Sequence, residues 1–98
     1  MKVLLVCAAG MSTSLLTNSM KKAGQPTDVV DAVPIAELLQ NVDKYDVVLL
    51  GPQIKFKLKE VEEICKPKGI PCGVVDMRVY GMMNGKAAMD QARSLLGS

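Results

Sequence analysis

The sequence predicts an α/β fold, in which a four-stranded parallel sheet of order 2-1-3-4 carries helices on both faces. Two observations support this prediction. Short apolar runs alternate four times with segments whose apolar residues recur at helical spacing. The third run, Asp46–Leu50, is almost continuously apolar, as expected of a strand that is covered on both faces. Repeated strand–helix units favour right-handed crossovers and a parallel sheet.

The strands are predicted from runs of apolar and β-branched residues that polar residues, glycine or proline bound on each side. The first run leads directly into Cys7, which we expect to end the first strand. The order 2-1-3-4 corresponds to a short flavodoxin-like arrangement. The predicted strands are Lys2–Val6, Asp28–Val33, Asp46–Leu50 and Pro71–Val75.

The helices are predicted from spacings of three and four residues between apolar side chains. Leu16, Met20 and Ala23 share one face of the first helix, and Gly24 is suited to its end. Asn84 has the side chain of an N-terminal cap and precedes Ala88, Ala92 and Leu95 on one face. The predicted helices run from Ser12 or Thr13 to Ala23, from Pro34 to Leu39, from Ile54 to Cys65, and onward from Asn84.

Length and composition predict one domain over residues 1–98 and exclude several function classes. The net charge of +2 and the scarcity of aromatic residues argue against nucleic-acid binding. No apolar run approaches the roughly 20 residues that cross a bilayer, and no secretory signal precedes Cys7, so we expect a cytoplasmic protein without membrane insertion.

The residue types limit the chemistry further. Three cysteines without a CxxC pair are typical of reduced thiols rather than of a disulfide framework. The absence of histidine excludes a Cys–His pair, a Ser–His–Asp triad and the usual zinc sites. The sequence therefore predicts no metal and no cofactor, and any chemistry must work without an imidazole of the chain's own.

The loop after the first strand is the candidate anion site. Small residues let the backbone curl and turn its N–H groups inward, and a helix N-terminus follows, which favours an anion. The same field favours the thiolate of Cys7, which is both a nucleophile and, in a phosphocysteine, a leaving group. The predicted catalytic residue is Cys7, and the predicted phosphate-binding loop is Ala8, Ala9, Gly10, Met11, Ser12, Thr13 and Ser14.

Other interpretations of this loop remain open. Cys7 could be a small buried hydrophobe before an ordinary strand–helix turn. A nucleotide P-loop and a dinucleotide site are excluded, because GxxxxGK[ST] and GxGxxG are absent. A low-molecular-weight tyrosine phosphatase carries a CxxxxxR loop on a similar fold, but Thr13 occupies the arginine position here. Without that bidentate donor, hydrolysis of a phosphoryl group is poorly supported.

Three segments in order resemble the IIB component of the sugar phosphotransferase system, in its lactose/cellobiose (N,N′-diacetylchitobiose) class. They are CAAGMSTSLL from Cys7, DVVLLGPQI from Asp46 and VYGMMNG from Val79. The resemblance implies that phosphohistidine of a IIA component phosphorylates Cys7, which then passes the phosphoryl group to a sugar bound by the membrane IIC component. It also implies a protein-phosphocysteine–sugar phosphotransferase that acts on a β-linked disaccharide such as cellobiose, chitobiose or lactose, and docks on the membrane only through IIC.

Outside the loop, the fold brings further side chains into consideration. Gly51, Pro52 and Gln53 follow the third strand, so Gln53 is expected at the same edge as Cys7; Tyr80 is a second rim candidate. Either could contact the phosphoryl group or a partner, or simply pack a loop. Asp76 is expected to cap or turn the chain, and Cys65 and Cys72 to lie in the core. The rival functions are a phosphatase or arsenate reductase, and a non-enzymatic anion-sensing module.

Overall fold

A computed structural model describes residues 1–7 and 14–97, and its sheet has the predicted order. The four strands pair in parallel as β2-β1-β3-β4. Each predicted strand is confirmed, and its ends lie within one residue of the predicted ones. The strands are β1 Lys2–Cys7, β2 Val29–Pro34, β3 Val47–Leu50 and β4 Cys72–Val74.

The helices follow the predicted order, with one addition. The predicted start of the first helix at Ser12 or Thr13 lies outside the described residues, and the helical turns after Pro34 continue past the predicted end at Leu39. The short helix α4 was not predicted, because five residues carry too little periodicity. The helices are α1 Ser14–Ala23, α2 Leu38–Asn41, α3 Leu58–Cys65, α4 Met77–Gly81 and α5 Gly85–Gly97. Turns of 3-10 helix cover Ile35–Glu37, Val42–Lys44, Pro52–Lys57 and Lys66–Lys68.

The sheet separates two hydrophobic cores, which confirms helices on both faces. On one face, Val3 and Leu5 pack with α1 and α5. On the other, Leu4 and Val6 pack with α2 and α3. This division follows from the alternation of side chains along a strand, and all four of these β1 side chains are fully buried. No helix among residues 1–7 and 14–97 is long and apolar enough to cross a membrane.

Helices α1 and α5 make a close backbone contact on the first face. The N–H of Gly85 donates to Ser19 Oγ at 2.9 Å. A Cβ atom at Gly85 would overlap the backbone of Ser19 and Met20. The predicted cap of α5 is confirmed, because Asn84 Oδ1 accepts from the Ala87 N–H at 3.1 Å. The contact between Gly85 and Ser19 holds α1 in place against α5, with the N-terminus of α1 at the carboxyl edge of the sheet.

Candidate functional site

Cys7 lies at the carboxyl edge of β1, where the sequence placed it. It retains 6% of its exposed area, whereas Val3 to Val6 retain none, so the side chain marks the transition from the core to the edge. By strand alternation it points to the same face as Val3 and Leu5, which is the face that α1 covers. Cys7 is therefore almost completely buried, at the end of the strand that leads into α1.

The Cys7 thiol donates a hydrogen bond to the Val33 carbonyl oxygen at 3.6 Å. Val33 lies in β2, beside Val6 in the register of the sheet. Only the protonated thiol can donate in this contact. A thiolate or a phosphocysteine has no S–H, so the sulfur loses this interaction when it reacts.

The predicted phosphate-binding loop lies outside the described residues for Ala8 to Thr13. Ser14 is the first residue of α1, and its side chain also lies outside what the structure describes. Because α1 follows β1 and packs back along the sheet, its N-terminus is at the same edge as Cys7. That is the position in which a helix dipole and its first N–H groups favour an anion. The individual contacts of the loop stay predictions.

Gly51 joins three segments at this edge. Its N–H donates to the Val6 carbonyl at 2.9 Å, which extends the pairing of β1 and β3 by one residue. A Cβ atom at Gly51 would lie 2.8 Å from Gln53 Oε1 and 3.7 Å from Tyr80 Cε2. Gln53 and Tyr80 therefore both lie beside Gly51, which follows β3 at the edge that carries Cys7. The sequence anticipated their shared edge, and the structure brings the two side chains together there.

Tyr80 is held in the core rather than at the surface. It is 8% exposed and belongs to the same hydrophobic cluster as Val3 and Leu5. Its hydroxyl oxygen is buried, and within residues 1–7 and 14–97 no group forms a hydrogen bond with it. The sequence offered no signal for this feature, because it depends on how α4 packs against the end of β3.

A recess of about 270 Å³ lies beside these residues. It is lined by Pro52, Gln53, Met77, Tyr80 and Gly81. Gln53 and Met77 are exposed, so the recess opens to solvent between the turn after β3 and the helix α4. It is an indentation of the kind that a side chain of a partner protein can enter.

Three residues that the sequence assigned to structural roles have those roles. Asp76 Oδ1 accepts from the Arg78 N–H at 2.8 Å and so caps α4. Cys65 is fully buried, and burial raises the pKa of its thiol to about 11, with a further contribution from the neighbouring Cys72. Cys72 is half-buried against the same core, and burial also raises the pKa of its thiol.

These raised pKa values predict that Cys65 and Cys72 alkylate slowly in the folded protein at pH 7, because the reactive thiolate is scarce in both. We expect iodoacetamide to add one carbamidomethyl group to the native chain, at Cys7, and three in denaturant, as measured by intact mass. Cys7→Ser is the control and should remove the native adduct. Two or more adducts on a chain with an unchanged far-UV circular dichroism spectrum would contradict the prediction.

Comparison of the sequence with known families gives one clear match. The family model described as "PTS system, Lactose/Cellobiose specific IIB subunit" matches residues 2–91. The chain is 40% identical to the oligo-β-mannoside-specific EIIB component of the PTS system of Bacillus subtilis (strain 168), over 97% of this chain and 95% of that protein. It is 38% identical to the galactose-specific EIIB component of Lactococcus lactis subsp. cremoris (strain MG1363), over 96% and 94% respectively.

Solved structures give the same result. The solution structure of a cellobiose-specific phosphotransferase IIB component protein from Borrelia burgdorferi is similar, with a TM-score of 0.80 and 41% identity, over 99% of this chain and 92% of that one. The lactose-specific IIB component domain from Streptococcus pneumoniae shares the fold, with a TM-score of 0.84 at 18% identity, over 97% of this chain and 96% of that one. The resemblance carried by the segments around Cys7, Gly51 and Tyr80 is therefore confirmed at the level of the family.

Proposed function

We propose, from the premise that this chain belongs to the lactose/cellobiose-specific IIB family of the sugar phosphotransferase system, that Cys7 carries the phosphoryl group through the transport reaction. Phosphohistidine of a IIA component is the donor, and a sugar held by a membrane IIC component is the acceptor. Residues 1–98 form a single domain with this activity.

The observation that carries the proposal is the position of Cys7 at the carboxyl edge of β1, before the N-terminus of α1. In the first step, the Cys7 thiolate attacks phosphorus, an S–P bond forms, and the N–P bond to the imidazole of the donor breaks. In the second step, a sugar hydroxyl attacks phosphorus, an O–P bond forms as the S–P bond breaks, the thiolate leaves, and the hydroxyl proton passes to solvent. The loop Ala8 to Ser14 supplies N–H groups to the phosphoryl oxygens in both steps.

Transfer is favoured over hydrolysis by the residue at the phosphatase arginine position of the loop. Thr13 stands six residues after Cys7, where a phosphatase of similar fold has its arginine. Arg93 is engaged elsewhere, because its guanidinium contacts the carboxylate of Asp28 at 2.6 Å. Backbone N–H groups can hold a phosphoryl group, but they stabilise less of the charge that develops during attack by water.

Exposed apolar side chains support docking of partner proteins. Five large apolar residues follow a strand in the sequence and are at least 65% exposed: Leu15, Leu39, Phe56, Met77 and Met82. Exposed apolar groups near a reactive residue are typical of an interaction surface. We assign this surface to the IIA donor and to the IIC component, so that the chain works in the cytoplasm and meets the membrane only through IIC.

The substrate proposed is a β-linked disaccharide such as cellobiose, chitobiose or lactose. This follows from the family, which is named for lactose and cellobiose. The relatives with 38–40% identity are named for different sugars, namely an oligo-β-mannoside and galactose. Choice among sugars is therefore assigned to the IIC component rather than to the edge around Cys7.

The test is phosphorylation by the complete donor chain. The protein is incubated with phosphoenolpyruvate, the general phosphotransferase proteins and a cognate IIA component, and its intact mass is measured. We expect the mass to increase by one phosphoryl group, and we expect Cys7→Ser to prevent the increase. Cys65→Ser and Cys72→Ser are matched controls that should retain it, because both thiols lie in the other core.

Three results would contradict the proposal. An unchanged mass with a competent donor would exclude phosphoryl transfer to this chain. Sustained release of phosphate from an aryl phosphate would instead identify a phosphatase. Binding of inorganic phosphate that survives Cys7→Ser, without a covalent adduct in the wild type, would indicate an anion-sensing module.

A further inference from the structure

We propose that the Tyr80 hydroxyl donates a hydrogen bond to the phosphoryl group on Cys7, an inference that rests on the proposed function. The structure gives three independent reasons: the face of the sheet on which the two residues lie, their lateral position at its edge, and the state of the hydroxyl. Tyr80 then becomes a ligand of the phosphoryl group in addition to the loop.

The first reason is the shared face. Strand alternation points Cys7 to the side of Val3 and Leu5, and Tyr80 belongs to the hydrophobic cluster on that side. Val6, which points the other way, packs with α2 and α3. A phosphoryl group on Cys7 therefore enters the face that contains Tyr80, rather than the opposite one.

The second reason is the lateral position. Val6 lies beside Leu50 in the register of the sheet. Gly51 follows Leu50, and its N–H donates a hydrogen bond to the Val6 carbonyl oxygen at 2.9 Å. Gly51 is thus the neighbour of Cys7 across the strands. The Tyr80 ring lies over Gly51 through Cε2, the carbon adjacent to the one that bears the hydroxyl. The end of the ring that carries the hydroxyl therefore lies beside Gly51.

The third reason is the state of the hydroxyl. A buried hydroxyl without a partner is unfavourable, and a phenylalanine would fill the same space without that cost. Within the described part of the chain nothing accepts from the Tyr80 hydroxyl. A phosphoryl group introduces oxygens that only accept, and one S–P and one P–O bond extend Cys7 beyond its sulfur. The hydroxyl then gains its acceptor.

The same observations favour the phosphoryl group over a partner protein. Tyr80 contributes to the wall of the recess beside α4, but its hydroxyl oxygen is buried. A protein that docks from outside reaches the ring and the exposed Gln53 amide, but not the hydroxyl. A phosphoryl group carried by Cys7 instead approaches the hydroxyl along the face of the sheet that Cys7 and Tyr80 share.

The test compares Tyr80→Phe with Tyr45→Phe, which removes a hydroxyl that instead donates to Asp31 at 2.7 Å. The equilibrium of phosphoryl exchange between a IIA component and this chain is measured, together with the ³¹P resonance of the phosphocysteine. Tyr80→Phe should shift the equilibrium toward the phosphorylated donor by about fivefold to tenfold, the usual effect of one hydrogen bond, and should move the ³¹P resonance. Tyr45→Phe should change neither. The unphosphorylated Tyr80→Phe protein should unfold at the same urea concentration as the wild type or at a higher one.

A measurement on the wild type keeps the test independent of the variants. With ¹³Cζ-labelled tyrosine, phosphorylation should move the Tyr80 resonance and leave that of Tyr45 in place. The role of Tyr80 would be rejected if phosphorylation left its resonance unmoved. It would also be rejected if a folded Tyr80→Phe protein kept the wild-type equilibrium and ³¹P shift. Either result would leave the proposed function of Cys7 intact. If the wild type acquires no phosphoryl group on Cys7, the proposed function fails, and this role fails with it.

Discussion

Replacing Gly85 with alanine is expected to lower the free energy of unfolding by about 3 kcal/mol, at the upper end of what overpacking costs. The added Cβ would overlap the backbone of Ser19 and Met20 in α1. A flexible side chain could rotate away from such a clash, but a helix backbone can only move as a unit. Helices α1 and α5 must therefore separate, and the bond from the Gly85 N–H to Ser19 Oγ weakens.

Urea denaturation measures this effect, with Gly97→Ala as the matched control. Gly97 is in the same helix, and a Cβ atom there meets nothing within 4 Å. The control should be neutral or slightly more stable, because alanine has the higher helix propensity. Equal midpoints for the two variants would contradict the close contact of α1 and α5. Because α1 begins directly after the loop that follows Cys7, Gly85→Ala should also slow phosphorylation.

The order and direction of the strands could be predicted because the signal is local. Each strand is a short apolar run, and parallel pairing follows from the helices between them. Helix α4 lacks such a signal, since its five residues are fixed by the Asp76 cap and by burial of Tyr80. A glycine directly after the predicted cap Asn84 lowers helix propensity, but only the packing of α1 shows why Gly85 is needed there.

The site was predictable to the same extent. Cys7 ends β1, and Gln53 follows the end of β3, so their common edge follows from the topology of a parallel sheet. The burial of the Tyr80 hydroxyl does not follow, because it depends on contact between α4 and the residue that ends β3. The side chains that contact Asp28 could not be predicted from the sequence either. Arg93 lies 65 residues away in the sequence, and no short-range pattern joins them.

Asp28→Asn is expected to lower the free energy of unfolding by about 2 kcal/mol at neutral pH. The Asp28 side chain is 3% exposed and accepts from the Gln25 N–H at 2.9 Å. It also contacts the Arg93 guanidinium at 2.6 Å and the α-ammonium group of Met1 at 3.2 Å. The Gln25 N–H is the largest cause that lowers the pKa of this carboxyl, to about 2, with Arg93 next, and burial opposes them. An asparagine keeps the shape but loses the charge.

The pH dependence separates this charge effect from a change in packing. A carboxyl whose pKa is lower in the folded than in the unfolded chain stabilises the fold above its ordinary value of 3.8, and this stabilisation is lost as the pH falls toward 2. The difference between wild type and Asp28→Asn should therefore be constant from pH 5 to 7 and shrink by about 2 kcal/mol near pH 2. Asp90→Asn removes an exposed i,i+4 pair with Lys86 and should change stability by less than about 0.5 kcal/mol at any of these pH values. A difference for Asp28→Asn that is as large near pH 2 as at pH 7 would show that its carboxylate contributes shape rather than charge.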